Sequence, residues 1–401
     1  MRTKKTIAVA LVQENYRHQF TGLLVVDPKT NDTLFHHNAK KYFTPASNVK
    51  IATLYTGLKL LPKKIPTLRY AVHNDTLFME PTGDPSWLHP HFKDSTAIRF
   101  LHGHDPIVID LGKFQEQKYG PGWAWEDYDT YFSPERSPLP LYGNVVSIIP
   151  SDPIAVQPPH FEHNIVLQRK LYRREANSNR FYHGKNAQDT VQIPFITSTK
   201  LTITLLERVL DKKIIVANHP HPSPKKVLYG VSTDSLYKRM LHESDNFIAE
   251  QLMLVASSMV SDTISFKKAK DFMYNNHLRN LKQQPRWVDG SGLSRYNLFT
   301  PESLVQLLHH IYDEVPENRL FGLFPVWNAQ PTLKAAEKVR SNPFIYAKSG
   351  SLGNNYNLSG FLRCRSGKVL IFSFMNNHFR QYPSSIRRNI QTVLREIHEN
   401  H

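Results

Sequence analysis

Residues Phe43 to Leu58 read Phe-Thr-Pro-Ala-Ser-Asn-Val-Lys-Ile-Ala-Thr-Leu-Tyr-Thr-Gly-Leu. Ile51, Leu54, Leu58 and Leu61 fall at helical spacing, so a helix is expected from about Ala46 to Leu61, ended by Pro62 and Pro66. Ser47 and Lys50 stand three residues apart and therefore share a face at the head of that helix. Outward from it, Thr21–Asp27 and Thr33–His37 alternate as strands around the loop Pro28–Asp32, an antiparallel hairpin. At the far end Phe344–Leu352, Tyr356–Arg365 and Lys368–Asn376 read as a three-stranded meander, closed by a helix over Ser384–Glu399. Strands at both ends with helices between predict one antiparallel sheet built from both termini and flanked by helices. Residues 66–196 differ in texture, with dense prolines between short strand-like pieces, and read as an inserted strand-rich domain; the catalytic-type domain is then 1–65 with 197–401. Further helices are expected over Thr199–Leu210, over Thr233–Ser257 with a break near Ser244, and over Pro301–Val315 with Thr300 as cap.

The serine and lysine at 47 and 50 matter chemically because a hydroxyl is a weak nucleophile until a base takes its proton. A lysine serves only when neutral, which burial or a neighbouring cation promotes; three pKa units of depression correspond to roughly 4 kcal/mol. Ser-x-x-Lys also occurs at Ser223, Ser235 and Ser265, so the quartet alone says little. Only Ser47 opens a strongly periodic helix, whose N-terminus favours a developing oxyanion. Ser223 and Ser235 lie too close before the next motif, and Ser265 lies after it. That next motif is Ser244-Asp245-Asn246, a second hydroxyl for proton relay and an amide to grip a peptide. Lys348-Ser349-Gly350 follows on an expected strand: a cation, a hydroxyl and a residue without a side chain, along which a substrate can lie.

These three motifs, in this order, form the penicillin-binding set, with serine in place of threonine in the third. The chain resembles the low-molecular-mass class C penicillin-binding proteins, the D-alanyl-D-alanine carboxypeptidase/endopeptidases. Ser244–Glu250, Trp287–Arg295 (WVDGSGLSR) with Thr300-Pro301, Gly83-Asp84-Pro85 and Gly122–Asp127 extend the likeness over roughly residues 20 to 395. The resemblance implies an α/β (α+β) fold of the β-lactamase/transpeptidase type and a serine-type D-Ala-D-Ala carboxypeptidase acting on peptidoglycan peptides, with β-lactams as inhibitors and no metal or organic cofactor. It implies Ser47 as the acylated nucleophile, Lys50 as its base and Ser244 as the relay to the leaving group. Asn246 would hold the substrate amide, and Lys348 and Ser349 the terminal carboxylate. Gly350 would lie along the substrate backbone, with the N–H groups of Ser47 and Ser351 as oxyanion hole. Asp127 is similar to a residue that contacts the free amine of the diamino acid, although Glu126 and Asp129 stand close by. A periplasmic or extracellular location follows. The rivals are a β-lactamase, for which Glu317–Leu320 offers a partial carboxylate loop, and a non-catalytic wall-binding or β-lactam-sensing module.

Composition narrows the rest. With 401 residues, 40% of them apolar, the chain is long enough for sizeable cores and is not of disordered composition. Ile7–Val12 is far short of the about 20 apolar residues of a spanning helix. Met1–Lys5 resembles the basic start of a secretion signal, but Gln13-Glu14 cuts its apolar part short; either it belongs to the mature fold or a signal lies upstream. The net charge of +16 favours anionic partners such as wall polymer; no nucleic-acid motif accompanies it, so none is expected. Cys364, the single cysteine, is expected as a packed core thiol. His89–His91, His102–His104 and His219–His221 are expected to serve turns rather than a metal. Trp123 and Trp125 are expected to pack the insertion rather than stack on sugar, and the Asp289–Arg295 loop to shape the active-site rim rather than bind phosphate.

Overall fold

The structure, a computed structural model, describes residues 16, 18–184, 188–217, 225–328 and 343–401. The expectations placed on Met1–Lys5, Ile7–Val12, His219–His221 and Ser223 lie outside the described residues. The chain divides into two compact units: residues 1–55, 237–244 and 274–401, and residues 56–236 with 245–273.

The first unit is built on a five-stranded antiparallel sheet of β1 (Phe20–Val26), β2 (Thr33–His37), β3 (Ile345–Leu352), β4 (Asn355–Arg363) and β5 (Val369–Asn377), in the order β3-β4-β5-β1-β2. Both ends of the chain therefore share one sheet, as the strand patterns predict. Every residue of β5 is buried. On one face Leu370, Phe372 and Phe374 join Leu358 and Leu362 of β4 in a core with Ile386, Ile390, Val393, Leu394 and Ile397. Those five recur at helical spacing on α5 (Pro383–Asn400), so the helix lays a continuous apolar stripe on the sheet. The alternation of a strand turns Ile371, Ser373 and Met375 to the opposite face. Helix α4 (Pro301–Glu314) packs against β5 and β1, started by Thr300, whose hydroxyl accepts the Ser303 N–H at 2.9 Å. Cys364 ends β4 buried, its thiol pushed up to about 11 by burial.

The expected helix from Ala46 is two elements: a 3-10 turn at Ala46–Val49, then α1 (Lys50–Leu60). Ser47 thus sits in the tight turn before the α-helix. The break at Ser244 is as expected, with α2 (Thr233–His242) before it and α3 (Asn246–Val260) after.

The second unit contains all of 66–196 but is wider. Its five-stranded sheet runs 214–216, 107–109, 76–81, 64–73, 226–232. Strand Lys226–Ser232 pairs antiparallel with Lys64–His73, which carries the unit past residue 196. A local reading places the boundary where the proline texture stops, because long-range strand pairing leaves no local mark. A three-stranded sheet (191–194, 145–149, 155–157) shares its core, around Leu68, Met79, Ile109, Val146 and Phe161. Helix α3 also belongs here and is buried on every side from Asn246 to Ser258.

Candidate active site

The turn that carries Ser47 is held from several directions. Phe43 exchanges both backbone hydrogen bonds with Phe299, at 2.8 and 3.1 Å. The Thr44 N–H donates to Asn377 Oδ1 at 2.7 Å, and its carbonyl accepts from Asn357 Nδ2 at 2.9 Å. Ala46 is left-handed, with φ 49°, a conformation that costs a side-chain-bearing residue about 1–2 kcal/mol. Buried Asn48 donates to the Lys348 carbonyl at 2.8 Å and accepts from the Ser359 hydroxyl at 2.7 Å. Asn48 thereby ties the turn to β3 and β4 and leaves the half-buried Ser47 as its outward residue.

Lys50 is wholly buried. Its Nζ lies 3.1 Å from Ser47 Oγ and donates to the Ser291 carbonyl at 2.7 Å. That carbonyl comes from the loop expected at the rim. The loop is buried from Asp289 to Gly292 and at Ser294, half-buried at Leu293 and exposed at Arg295, and its buried part packs under the Ser47 turn. The Asp289 carboxylate accepts from the N–H groups of Gly292 (2.8 Å) and Ser294 (2.6 Å) and from Asn297 Nδ2 (2.8 Å). Thr53 on α1 donates to the Gly290 carbonyl at 2.6 Å. Gly292 has φ 86°, and a Cβ there would lie 2.0 Å from the Ala46 carbonyl oxygen, so only glycine lets the loop reach the turn.

Strand β3 brings the third motif to the same turn. Lys348 is 2% exposed and donates to the Ser349 carbonyl at 2.8 Å. Burial, with the charge of Lys50 added, holds its ammonium well below the usual lysine range. A Cβ on Gly350 would lie 2.5 Å from the Pro45 carbonyl oxygen and 2.9 Å from the Ser47 nitrogen, so the bare strand presses against the Ser47 amide. Ser349 is half-buried, and Ser351 is exposed opposite Tyr356 in the ladder.

Ser244 belongs to the same unit and takes a left-handed φ of 56° between α2 and α3. Asp245 is the cap of α3, accepting the Ile248 N–H at 3.0 Å, which explains the acid in the middle of the motif. In the second unit Asn246 donates to the Phe132 carbonyl at 3.0 Å. One turn further along α3, Glu250 accepts from Arg136, the closer contact being 2.6 Å. Asp127 is half-buried in a 3-10 turn, Trp125–Asp127. Among its neighbours, Asp129 is occupied by the Arg173 N–H at 2.5 Å, and Glu126 is exposed.

The remaining candidates resolve locally. The Ser235 hydroxyl donates to the Ser232 carbonyl, and Ser265 Oγ accepts the Lys268 N–H, both as helix-start contacts. His89 accepts the His91 N–H, and His104 bonds the Phe100 carbonyl. Glu317 pairs with Arg363 at 3.0 Å, four residues along β4 from Ser359 or roughly 13 Å. The tryptophan pair splits. Trp123 packs under the Arg136 guanidinium, 5.1 Å from its ring centre, as expected of a packing residue. Trp125 does not pack the insertion: it is 77% exposed. Asn48 escaped the sequence reading, and Asp289 and Ser291 entered it only within the WVDGSGLSR string and its loop. The string was visible, but the partners of the Gly290 and Ser291 carbonyls lie 237 and 241 residues away.

A serine paired with a buried lysine, on a turn packed against the bare edge of an antiparallel strand, defines a serine acyl-transferase of the transpeptidase-like fold. The chain belongs to the D-Ala-D-Ala carboxypeptidase 3 (S13) family, which it matches over residues 3–191 and 203–397, and is a serine-type carboxypeptidase. It is 35% identical to penicillin-sensitive carboxypeptidase A of Dictyostelium discoideum, over 82% of this chain and 76% of that one. It is 23% identical to D-alanyl-D-alanine carboxypeptidase DacB of Haemophilus influenzae, over 89% and 85%. The crystal structure of penicillin-binding protein 4 from H. influenzae has the same fold, with TM-score 0.74 and 18% identity, covering 98% of this chain and 99% of that one.

Proposed function

We propose that the chain removes the terminal D-alanine of peptidoglycan stem peptides through an ester on Ser47. Ser47 Oγ attacks the carbonyl of the penultimate D-alanine while its proton passes to Lys50 Nζ, which acts in the form that has given up its own ammonium proton. The N–H groups of Ser47 and Ser351 stabilise the oxyanion. As the C–N bond breaks, Ser244 relays a proton to the departing amine of D-alanine. Water then attacks the ester, giving up its proton to Lys50, and returns Ser47 and the shortened peptide. Lys348 and Ser349 bind the terminal carboxylate, Gly350 lets the peptide lie along β3, and Asn246 holds the substrate amide. Asp127, from the strand-rich stretch, receives the free amine of the diamino acid. Cleavage of D-amino-acid crosslinks uses the same steps with a longer leaving group.

The observation that carries this reading is Lys50: fully buried, 3.1 Å from Ser47 Oγ and anchored to the Ser291 carbonyl. A β-lactam offers the same carbonyl and carboxylate, so inhibition by slow deacylation follows, in keeping with the penicillin-sensitive relative. The proposed location is periplasmic or extracellular, where that substrate lies; no helix among the described residues is long and apolar enough to cross a membrane. The test is intact mass after incubation with benzylpenicillin. A lasting adduct on the native chain and none on Ser47→Ala is expected, followed by D-alanine release from an acyl-D-Ala-D-Ala peptide. An unmodified protein with intact drug overturns the assignment of Ser47, and hydrolysed drug without adduct points to a β-lactamase.

A further inference from the structure

Trp125 is the most exposed aromatic ring in a loop that is otherwise tightly built. The chain turns at Trp125–Asp127, with the Tyr128 N–H donating to the Trp125 carbonyl and the Thr130 N–H to that of Asp127, at 3.3 and 3.0 Å. The indole stacks on Tyr128, ring centres 6.1 Å apart and planes within 6°. Tyr128 is fixed from behind by Arg174, itself 1% exposed: the guanidinium lies 5.1 Å from the ring centre and donates to the Tyr128 carbonyl at 3.1 Å, while the Tyr128 hydroxyl donates to the Arg174 carbonyl at 3.0 Å. The indole is therefore flanked by Tyr128 and is otherwise largely open to water, at 77% exposed. Tyr131, 63% exposed, stands edge-on to Phe132. Exposed Glu126 adds a carboxylate acceptor beside the indole. An aromatic of this size is ordinarily buried or at an interface, and here its neighbour Tyr128 is hydrogen-bonded in place by buried Arg174.

We infer that Trp125, with Tyr128 beside it, forms a platform for an N-acetylated amino-sugar, the glycan end of the wall substrate. The apolar face of a pyranose ring fits a flat indole, and its hydroxyl and acetamide donors fit a neighbouring carboxylate. Continuity with the substrate motif supports this occupant: Phe132, next to Tyr131, gives its carbonyl to Asn246. The inference rests on the proposed activity, because the stem peptide carries that sugar at its other end.

The test compares one acyl-D-Ala-D-Ala peptide with the same peptide bearing the N-acetylglucosaminyl-N-acetylmuramyl disaccharide. The native chain is expected to have a KM for the sugar-bearing peptide roughly tenfold lower. Trp125→Ala is expected to abolish that difference and Trp125→Tyr to restore part of it, with the KM of the bare peptide unchanged. No preference in the native chain, or an equal loss on both substrates in Trp125→Ala, overturns the platform. Failure of the activity itself is separate: it appears as no benzylpenicillin adduct and no turnover of either peptide. The platform is then decided by tryptophan fluorescence with peptide-free glycan chains. Quenching lost in Trp125→Tyr supports it, and no response of the native chain overturns it.

Discussion

The two buried lysines, Lys50 and Lys348, differ in their surroundings. Lys50 is held between Ser47 Oγ and the Ser291 carbonyl, whereas Lys348 meets only the Ser349 carbonyl among its described hydrogen bonds and also feels the charge of Lys50. A buried ammonium beside another cation gives up its proton readily, so the Lys348 of the free protein titrates below the ordinary lysine range. An anionic substrate brings the missing counter-charge, and its binding takes up a proton. The sign follows from linkage: above the free-protein pKa that proton must come from solvent, so KM for an acyl-D-Ala-D-Ala peptide rises by about tenfold per pH unit. Measuring KM from neutral to alkaline pH, with binding enthalpy in buffers of different ionisation heat, checks this. A flat KM up to the pH at which free lysine titrates would remove the carboxylate-binding role from Lys348.

Strand β3 and the turn at Ala46–Val49 form one mechanical element. The contact depends on two glycines, Gly350 from the strand and Gly292 from the loop beneath, each of which lets backbone touch backbone. Gly350→Ala would force the strand off the turn, since its Cβ would meet the Pro45 carbonyl at 2.5 Å. A displacement of about 1 Å at reacting groups is worth around a hundredfold in rate. The expected outcome is a drop of that order in the rate of benzylpenicillin acylation with a cooperative thermal unfolding transition retained. An unchanged acylation rate would show that β3 does not set the position of Ser47. Part of this element was legible in sequence. The Lys-Ser-Gly triplet lies on a strand as its setting predicts, and the helix after Lys50 follows its apolar spacing. The 3-10 turn was not legible, because the Asn48 side chain ties it to partners on β3 and β4, 300 and 311 residues away.

At the scale of the molecule, each unit has its own core and its own polar anchor. In the second unit Arg136 and Glu250, each 2% exposed, form an ion pair at 2.6 Å, with Glu116 also 3.3 Å from the guanidinium. The pair joins α3 to the segment that carries Phe132, and so underlies the setting of Asn246. Stranding a buried charge costs roughly 3–5 kcal/mol, and losing Glu250 costs part of that because Arg136 keeps its contact with Glu116. Glu250→Ala should therefore lower the urea midpoint of the full chain markedly, whereas Glu126→Ala on the exposed loop should not. Equal midpoints for the two variants would show that the ion pair contributes nothing net.

The sequence by itself determined what elements the residues proposed for the chemistry ride on: Ser47 before Lys50, Ser244 between two helices, Lys348 on a strand, and one sheet drawn from both termini. Those properties are written in neighbours a few residues apart, where spacing and turn chemistry act. Only the tertiary structure decided that the Asp289–Ser294 loop lies buried under the nucleophile, that strand 226–232 belongs with 64–73, and that Trp125 faces water while Trp123 packs. Each of these depends on which surfaces meet, and a carbonyl such as that of Ser291 becomes Lys50's anchor only when packing carries it across 241 residues of chain.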